Sequence, residues 1–323
     1  VVAAEGRRGR RQEDFLADIA RAYYEQDLTQ QQVAQRFGIS RSQISRYLRA
    51  ARDRDIVQIR IVGPRTREAD LEAELRARFP ALREVVVAGV FSEREPVIRR
   101  AVARAAGRML DRLVTAGQTV CFGAGRTIAA VVDQLTPRRL PGLVVAPATG
   151  NAGHEGLDID YSAVASAAAE AFEAVVYRVN APAILGKGAS AAALEASNPQ
   201  IRDALAIARS ADAYVIGMGS LASDEIFVRT GLISLDELDE VRAAGAVGDI
   251  CGNFYDASGR ACPGPFADRV VGIRLEDLRR APLVVACAGG AEKVPAIAGA
   301  LRGRLVSALV TDEHTARGVL ELM

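Results

Sequence analysis

Histidine and cysteine are scarce in this chain, and the few present lie apart. His154 and His314 sit far from each other, and Cys121, Cys251, Cys262 and Cys287 form no C-x-x-C pair. That spacing argues against a zinc site, and no metal or cofactor is expected. No apolar run approaches the ~18 residues of a membrane span, and 25% charged residues at a mean hydropathy of +0.09 fit neither a transmembrane helix nor wholesale disorder. The early arginines Arg7, Arg8, Arg10 and Arg11 precede no apolar stretch of secretory type, so a reducing cytoplasm without disulfides is the expectation. Lysine is rarer still, with Lys187 and Lys293 against 39 arginines. That imbalance reads first as a coding bias and does not by itself mark an anion site.

What is present is ample apolar material. A chain of 323 residues, half of them hydrophobic, has the length and the core for two domains. Net charge is +1 overall, yet residues 1–63 carry 12 arginines against 8 acids, so the positive excess is local. A basic N-terminus on a neutral body fits a nucleic-acid-facing module, provided that a motif supports it.

A motif does. Phe15, Leu16, Ile19, Ala20, Ala22 and Tyr23 recur at helical spacing between Gln12 and Glu25. Thr29-Gln-Gln-Gln32 is a capping box flanked by Leu28 and Val33 at hydrophobic-staple positions, and Ser40-Arg-Ser-Gln43 repeats the device with Ile39 and Ile44. Gly38 lies between the two helices, where a left-handed residue ends the first one tightly. The pattern predicts a helix-turn-helix with Val33, Phe37, Ile44 and Leu48 in its core and a third helix from Arg41 to about Ala51. Polar residues remain at the helix starts and on the third helix: Thr29, Gln30, Arg41, Ser42, Gln43, Ser45 and Arg46. Arginine pairs with guanine, glutamine with adenine, and serine or backbone N–H groups hold phosphate, so these are the expected contacts to double-stranded operator DNA, with Ser42, Gln43 and Arg46 foremost. The stretch Ile56 to Val62 reads as a strand beside the motif, as in winged-helix variants. Residues 64–81 then read as a connecting helix that Pro80 ends.

From residue 82 onward apolar runs alternate with helical patterns: Val85 to Val87, Thr119 to Phe122, Leu143 to Ala146, Tyr214 to Ile216, Leu283 to Ala286 and Leu305 to Val310. This predicts a doubly wound α/β domain over 82–323 with ligands at the carboxyl ends of its strands. Those ends are rich in glycine and small polar residues, including Gly123 to Thr127, Thr149-Gly150-Asn151, Gly217-Met-Gly219 and Gly289-Gly290. The first leads from a strand into a helix start, where free N–H groups suit a phosphate. It is neither the dinucleotide fingerprint nor a Walker loop, and a ligand-free βα turn is an equal reading of it alone. Lys293 falls in a first helical turn, where a cation opposes the helix dipole unless an anion is also there. Asp249, among apolar and small residues, can accept hydrogen bonds from sugar hydroxyls or cap a turn. His154 beside Glu155 falls in a stretch that reads as a loop and gets no catalytic role.

These segments together resemble the SorC family of bacterial transcriptional regulators over nearly the whole chain, from Phe15 to Leu322. The resemblance is carried by Leu28 to Leu48, Gly123 to Thr127, Asn198-Pro-Gln-Ile201, Gly217-Met-Gly219, Gly245 to Ile250 and Ala288 to Lys293. It implies an N-terminal helix-turn-helix and a C-terminal domain with the fold of phosphosugar isomerases that senses a sugar, polyol or sugar phosphate without turnover. By resemblance Gly123, Gly125, Arg126 and Thr127 contact the effector's phosphate, and Lys293 and Asp249 contact phosphate or hydroxyls. Thr149, Gly150 and Asn151 also belong to the implied site, and Gly219 joins it from its strand end. A homodimer or homotetramer is expected, because one helix-turn-helix contacts few bases. The alternative is an isomerase-type enzyme with an accessory N-terminal domain, for which Asp249 is the sole candidate base.

Overall fold

The computed structural model describes residues 2–26, 28–54, 56–57, 67–151, 161–221, 228 and 231–322, with side chains excepted at 2–12, 161 and 162. The chain divides into two compact units, Val1–Pro64 and Arg65–Met323.

The first unit consists of α1 (Val2–Tyr24), α2 (Gln30–Phe37) and α3 (Arg41–Asp53). Helix α1 starts ten residues before the expected Gln12. Both capping boxes form: Thr29 Oγ1 accepts from Gln32 N–H while Gln32 reaches back to Thr29, and Ser40 and Gln43 do the same. Gly38 takes φ +66° and turns the chain from α2 into α3. Val33, Ile44 and Leu48 are buried with Leu16, Ile19, Ala20 and Ala51, and Phe37 packs half-buried against them. Phe15 joins this core through edge-to-face contacts with Phe37 and Tyr47. Of the strand expected over 56–62, Ile56 and Val57 form a bend packed on the same core, and 58–62 lie outside the described residues.

The second unit opens with α4 (Ala69–Arg78), whose Leu71 and Leu75 enter the core of the body. The N–H of Val87 donates to Glu72 Oε1 at 3.0 Å, and Arg67 pairs with the same carboxylate. The segment expected as a connector therefore covers the edge of the sheet from Ala69 onward.

Seven parallel strands form that sheet: β1 (Glu84–Ala88), β2 (Thr119–Phe122), β3 (Val144–Pro147), β4 (Val175–Val176), β5 (Ala213–Ile216), β9 (Leu283–Cys287) and β10 (Ala308–Asp312). A smaller antiparallel sheet holds β6 (Gly219–Ser220), β7 (Ala246–Ile250) and β8 (Asn253–Asp256). Helices α5 (Glu95–Leu113), α6 (Arg126–Val132) and α7 (Tyr161–Phe172) cover one face. The later helices are α8 (Ala191–Ser197), α9 (Pro199–Arg209), α10 (Leu235–Ala243), α11 (Leu275–Arg280), α12 (Val294–Arg302) and α13 (Glu313–Glu321), and α4, α9, α11, α12 and α13 contribute to the core on the other face. Strand residues alternate between the two cores, Val85 and Val87 to one, Val86 and Ala88 to the other, as a sheet buried on both sides requires.

The large sheet runs β1-β10-β9-β5-β2-β3-β4. From β2 the chain steps outward through β3 and β4, then returns to the other side of β2 with β5 and proceeds through β9 and β10. The order reverses between β2 and β5, and in open α/β sheets the crevice beyond the strand ends at such a point is where ligands bind.

Candidate functional site

A cavity of about 190 Å³ lies at that switch point. The ends of β2, β3, β5 and β9 supply Gly125, Arg126 and Thr127, then Thr149, then Gly217 to Gly219, then Gly289, Glu292 and Lys293. The small sheet adds Asp249, Cys251 and Gly252, and the start of α5 adds Glu95 and Arg99. Its volume is below the ~300–1,000 Å³ of drug-sized sites, so it suits a small ligand.

Seven of the expected effector residues meet here: Gly125, Arg126, Thr127, Thr149, Gly219, Asp249 and Lys293. Gly125 takes φ +111° with open space where a Cβ would stand, and α6 begins without a side-chain cap. Its first N–H groups therefore lack an intrahelical partner at the cavity. The loop after β9 differs. Gly290 N–H donates to Asp312 Oδ2 at 3.1 Å and to Thr315 Oγ1 at 2.7 Å, so this amide is committed to the body.

Asp249 is 4% exposed, and the turn-capping alternative holds for one of its oxygens: Oδ2 accepts from Gly252 N–H at 3.0 Å. Cys251 and Gly252, at φ +54° and +79°, form the two-residue β7–β8 turn that this bond braces. Gly219 makes room for the carboxylate, since a Cβ there would stand 1.7 Å from Asp249 Oδ1. Burial raises the Asp249 pKa, while Gly252 N–H and Lys293 pull it down. Burial and Asp249 push the Cys251 thiol up to about 12, which leaves it protonated and a poor nucleophile at neutral pH.

A folded-state carboxyl pKa above the unfolded one adds stability in full below about pH 4, and that stability is lost as pH rises through the raised value. Asp249→Asn keeps an acceptor for Gly252 and removes the buried charge. The expected result is a higher melting temperature for the unliganded variant at pH 7 and no difference near pH 3, read by calorimetry. A variant less stable at pH 7 would contradict the buried-charge account.

Three expected residues are not brought to this cavity. Gly123 lies behind it, with Ile216 Cα 3.4 Å from where a Cβ would stand. Gly150 donates its N–H to Val271 O and packs against the backbone of 181–182. Asn151 faces a wider hollow of about 1130 Å³ that Lys187 and Arg269 also line. His154 lies outside the described residues. Sequence reasoning passed over Glu95, Arg99, Cys251 and Glu292. The signal for the first two was available, because α5 follows β1 as α6 follows β2.

On the N-terminal unit, Arg41, Ser42, Ser45 and Arg46 are exposed on α3. Gln43 is half-buried, and its Oε1 accepts from Ser40 N–H at 2.9 Å and from Ser40 Oγ at 3.0 Å. The box and a bidentate adenine contact compete for the same amide oxygen, so Gln43 retains only its Nε2 while the box is closed. Ser42 Oγ lies 3.0 Å from Ser40 Oγ.

A helix-turn-helix unit joined to a doubly wound domain with a polar cavity at its switch point defines a ligand-responsive regulator of transcription. Residues 64–321 match the family described as "Putative sugar-binding domain", and 17–59 match "Sigma-70, region 4". The chain is 30% identical over 320 residues to the sorbitol operon regulator of Klebsiella pneumoniae, covering 95% of this chain and 98% of that protein. It is 31% identical over 315 residues to the transcriptional regulator LsrR of an Enterobacter species, covering 96% and 94%. The crystal structure of the full-length sorbitol operon regulator SorC from Klebsiella pneumoniae superposes with a TM-score of 0.72 at 29% identity, over 96% of this chain and 99% of that one. The chain belongs to this sugar-binding family of SorC-type transcriptional regulators, and its relatives are regulators, not isomerases. Among the described residues no helix is long and apolar enough to cross a membrane.

Proposed function

We propose that the chain binds operator DNA through α3 and that a phosphorylated sugar or polyol in the 190 Å³ cavity changes its affinity for that DNA. The observation that carries this reading is the meeting of Gly125, Arg126, Thr127, Asp249 and Lys293 around one small cavity at the switch point. The uncapped start of α6 with Arg126 and Thr127 suits a phosphate, and buried Asp249 suits hydroxyl donors. The effector acts by binding one of two states better, and reciprocity makes operator DNA alter effector affinity by the same factor. The DNA-binding form is a dimer or tetramer, since palindromic half-sites mirror protein symmetry and one α3 reads too few bases.

The test selects a double-stranded site from a random library with the full chain, then titrates sugars, polyols and their phosphates into the complex. A phosphorylated compound that shifts DNA affinity and is recovered unchanged is the expected outcome. A shift by unphosphorylated compounds alone would remove the phosphate assignment, and turnover would restore the isomerase alternative. Arg46→Ala is expected to weaken binding to the selected site about tenfold, within the ~1–3 kcal/mol of a bidentate base contact, with effector affinity unchanged. Unaltered affinity in a gel-shift titration would take Arg46 out of the interface.

A further inference from the structure

The cation-lined side of the cavity already contains an anion. Glu95 is the first residue of α5; its Oε1 accepts from Arg99 Nη1 one turn on and lies 3.9 Å from Arg126 Nη1, on the first residue of α6. All three side chains line the cavity, and both helices begin there without a side-chain cap. A carboxylate at the start of the 19-residue α5 is favoured by that helix's dipole, and here it also faces the Arg126 guanidinium. Around the cavity as a whole, Arg99, Arg126 and Lys293 are matched by Glu95, Asp249 and Glu292. By formal charge the site therefore offers an incoming phosphate no positive excess.

We infer that Glu95 is an internal counter-anion that sets how tightly the cavity holds phosphate. Its carboxylate engages the two arginines that a phosphate would use and repels the dianion once bound. Asp249 braces the small sheet, whereas among the described residues the Glu95 carboxylate pairs with the two arginines. The inference rests on the reading of this cavity as the effector site. The bland alternative is a helix pair of i,i+4 type, which contributes a few tenths of a kcal/mol to the helix. That alternative predicts no change in anion binding when the charge is removed.

Inorganic phosphate titrated calorimetrically into the full chain and into Glu95→Gln, at fixed ionic strength, separates the two. One negative charge removed beside a dianion at a half-exposed site is expected to lower the dissociation constant about tenfold. Glutamine retains the side-chain shape, and any loss of stability at the start of α5 cannot mimic tighter binding. Tighter phosphate binding by the variant, or binding by the variant alone, supports the inference. If the parent chain binds phosphate and Glu95→Gln binds it equally or less well, the inference falls and the effector cavity stands. If neither binds up to about 50 mM, the anionic reading of the cavity falls and takes the inference with it.

Discussion

Thr127→Val combined with Lys293→Met is expected to abolish the effector response while leaving the fold and the affinity for operator DNA in place. Both side chains are half-buried at the cavity. Valine matches threonine in shape and lacks its hydroxyl; methionine keeps the length and apolar stem of lysine and lacks its charge. A hydrogen bond to a charged group contributes roughly 1.5–3 kcal/mol and a neutral one about 1 kcal/mol, so losing both weakens a phosphorylated effector by about 100-fold or more. Lysine acts in a second way, because its charge lowers the pKa of buried Asp249. Without it the carboxylate is harder to ionise and accepts hydroxyl hydrogen bonds less well. The experiment measures release of the selected DNA site across an effector titration, with the melting temperature as a control on folding. A double variant that responds at the parental concentration would remove Thr127 and Lys293 from the effector contacts and leave Arg99 and Arg126 as the cations that line the cavity.

The N-terminal unit was legible because its determinants are local. Capping boxes, staples and the left-handed Gly38 act within four or five residues, so Thr29, Ser40 and Gly38 could be placed from their immediate neighbours. The same local logic gave Gln43 two tasks, closing a capping box from its N3 position and reading a base, and its one amide oxygen is engaged by Ser40 in the first of them. In the body, six strands were visible as apolar runs, yet their order was not. Register such as Glu84 opposite Ala308 joins segments far apart in the chain, and nothing within either run specifies the partner. The small sheet was missed because Gly219–Ser220 and Asn253–Asp256 are short and polar-rich, and their pairing with β7 is what makes them strands. The cavity was half legible for a related reason. Strand ends announce themselves through glycines, whereas Glu95 and Arg99 are ordinary charged residues until the sheet order brings α5 beside α6.

The glycines themselves divide by physical role, and Gly150→Ala tests that division. The resemblance to sugar-sensing regulators put Gly150 among the effector contacts, but a Cβ there would stand 2.4 Å from Ala181 O and 2.6 Å from Pro182 O. These are backbone atoms held by a ladder: Asn151 N–H donates to Ala181 O at 2.7 Å, Ala183 N–H to Asn151 O at 2.8 Å, and Gly150 N–H to Val271 O at 2.9 Å. A methyl group cannot be admitted without parting several of these bonds, since interiors are close-packed and the obstacle is not a flexible side chain. The variant is expected to lose about 3 kcal/mol in urea unfolding, at the upper end of overpacking costs. Gly125→Ala makes the contrast, because nothing lies within 4 Å of its Cβ position and its φ of +111° is the only obstacle. Its cost is one strained backbone residue, of order 1–3 kcal/mol, and it is felt at the cavity through the tilt of the first N–H groups of α6. If Gly150→Ala keeps parental stability and loses the effector response, the packing account is wrong and Gly150 is a ligand contact after all; if it unfolds more easily while the folded fraction still responds, its glycine serves the chain crossing beneath the site and not the effector.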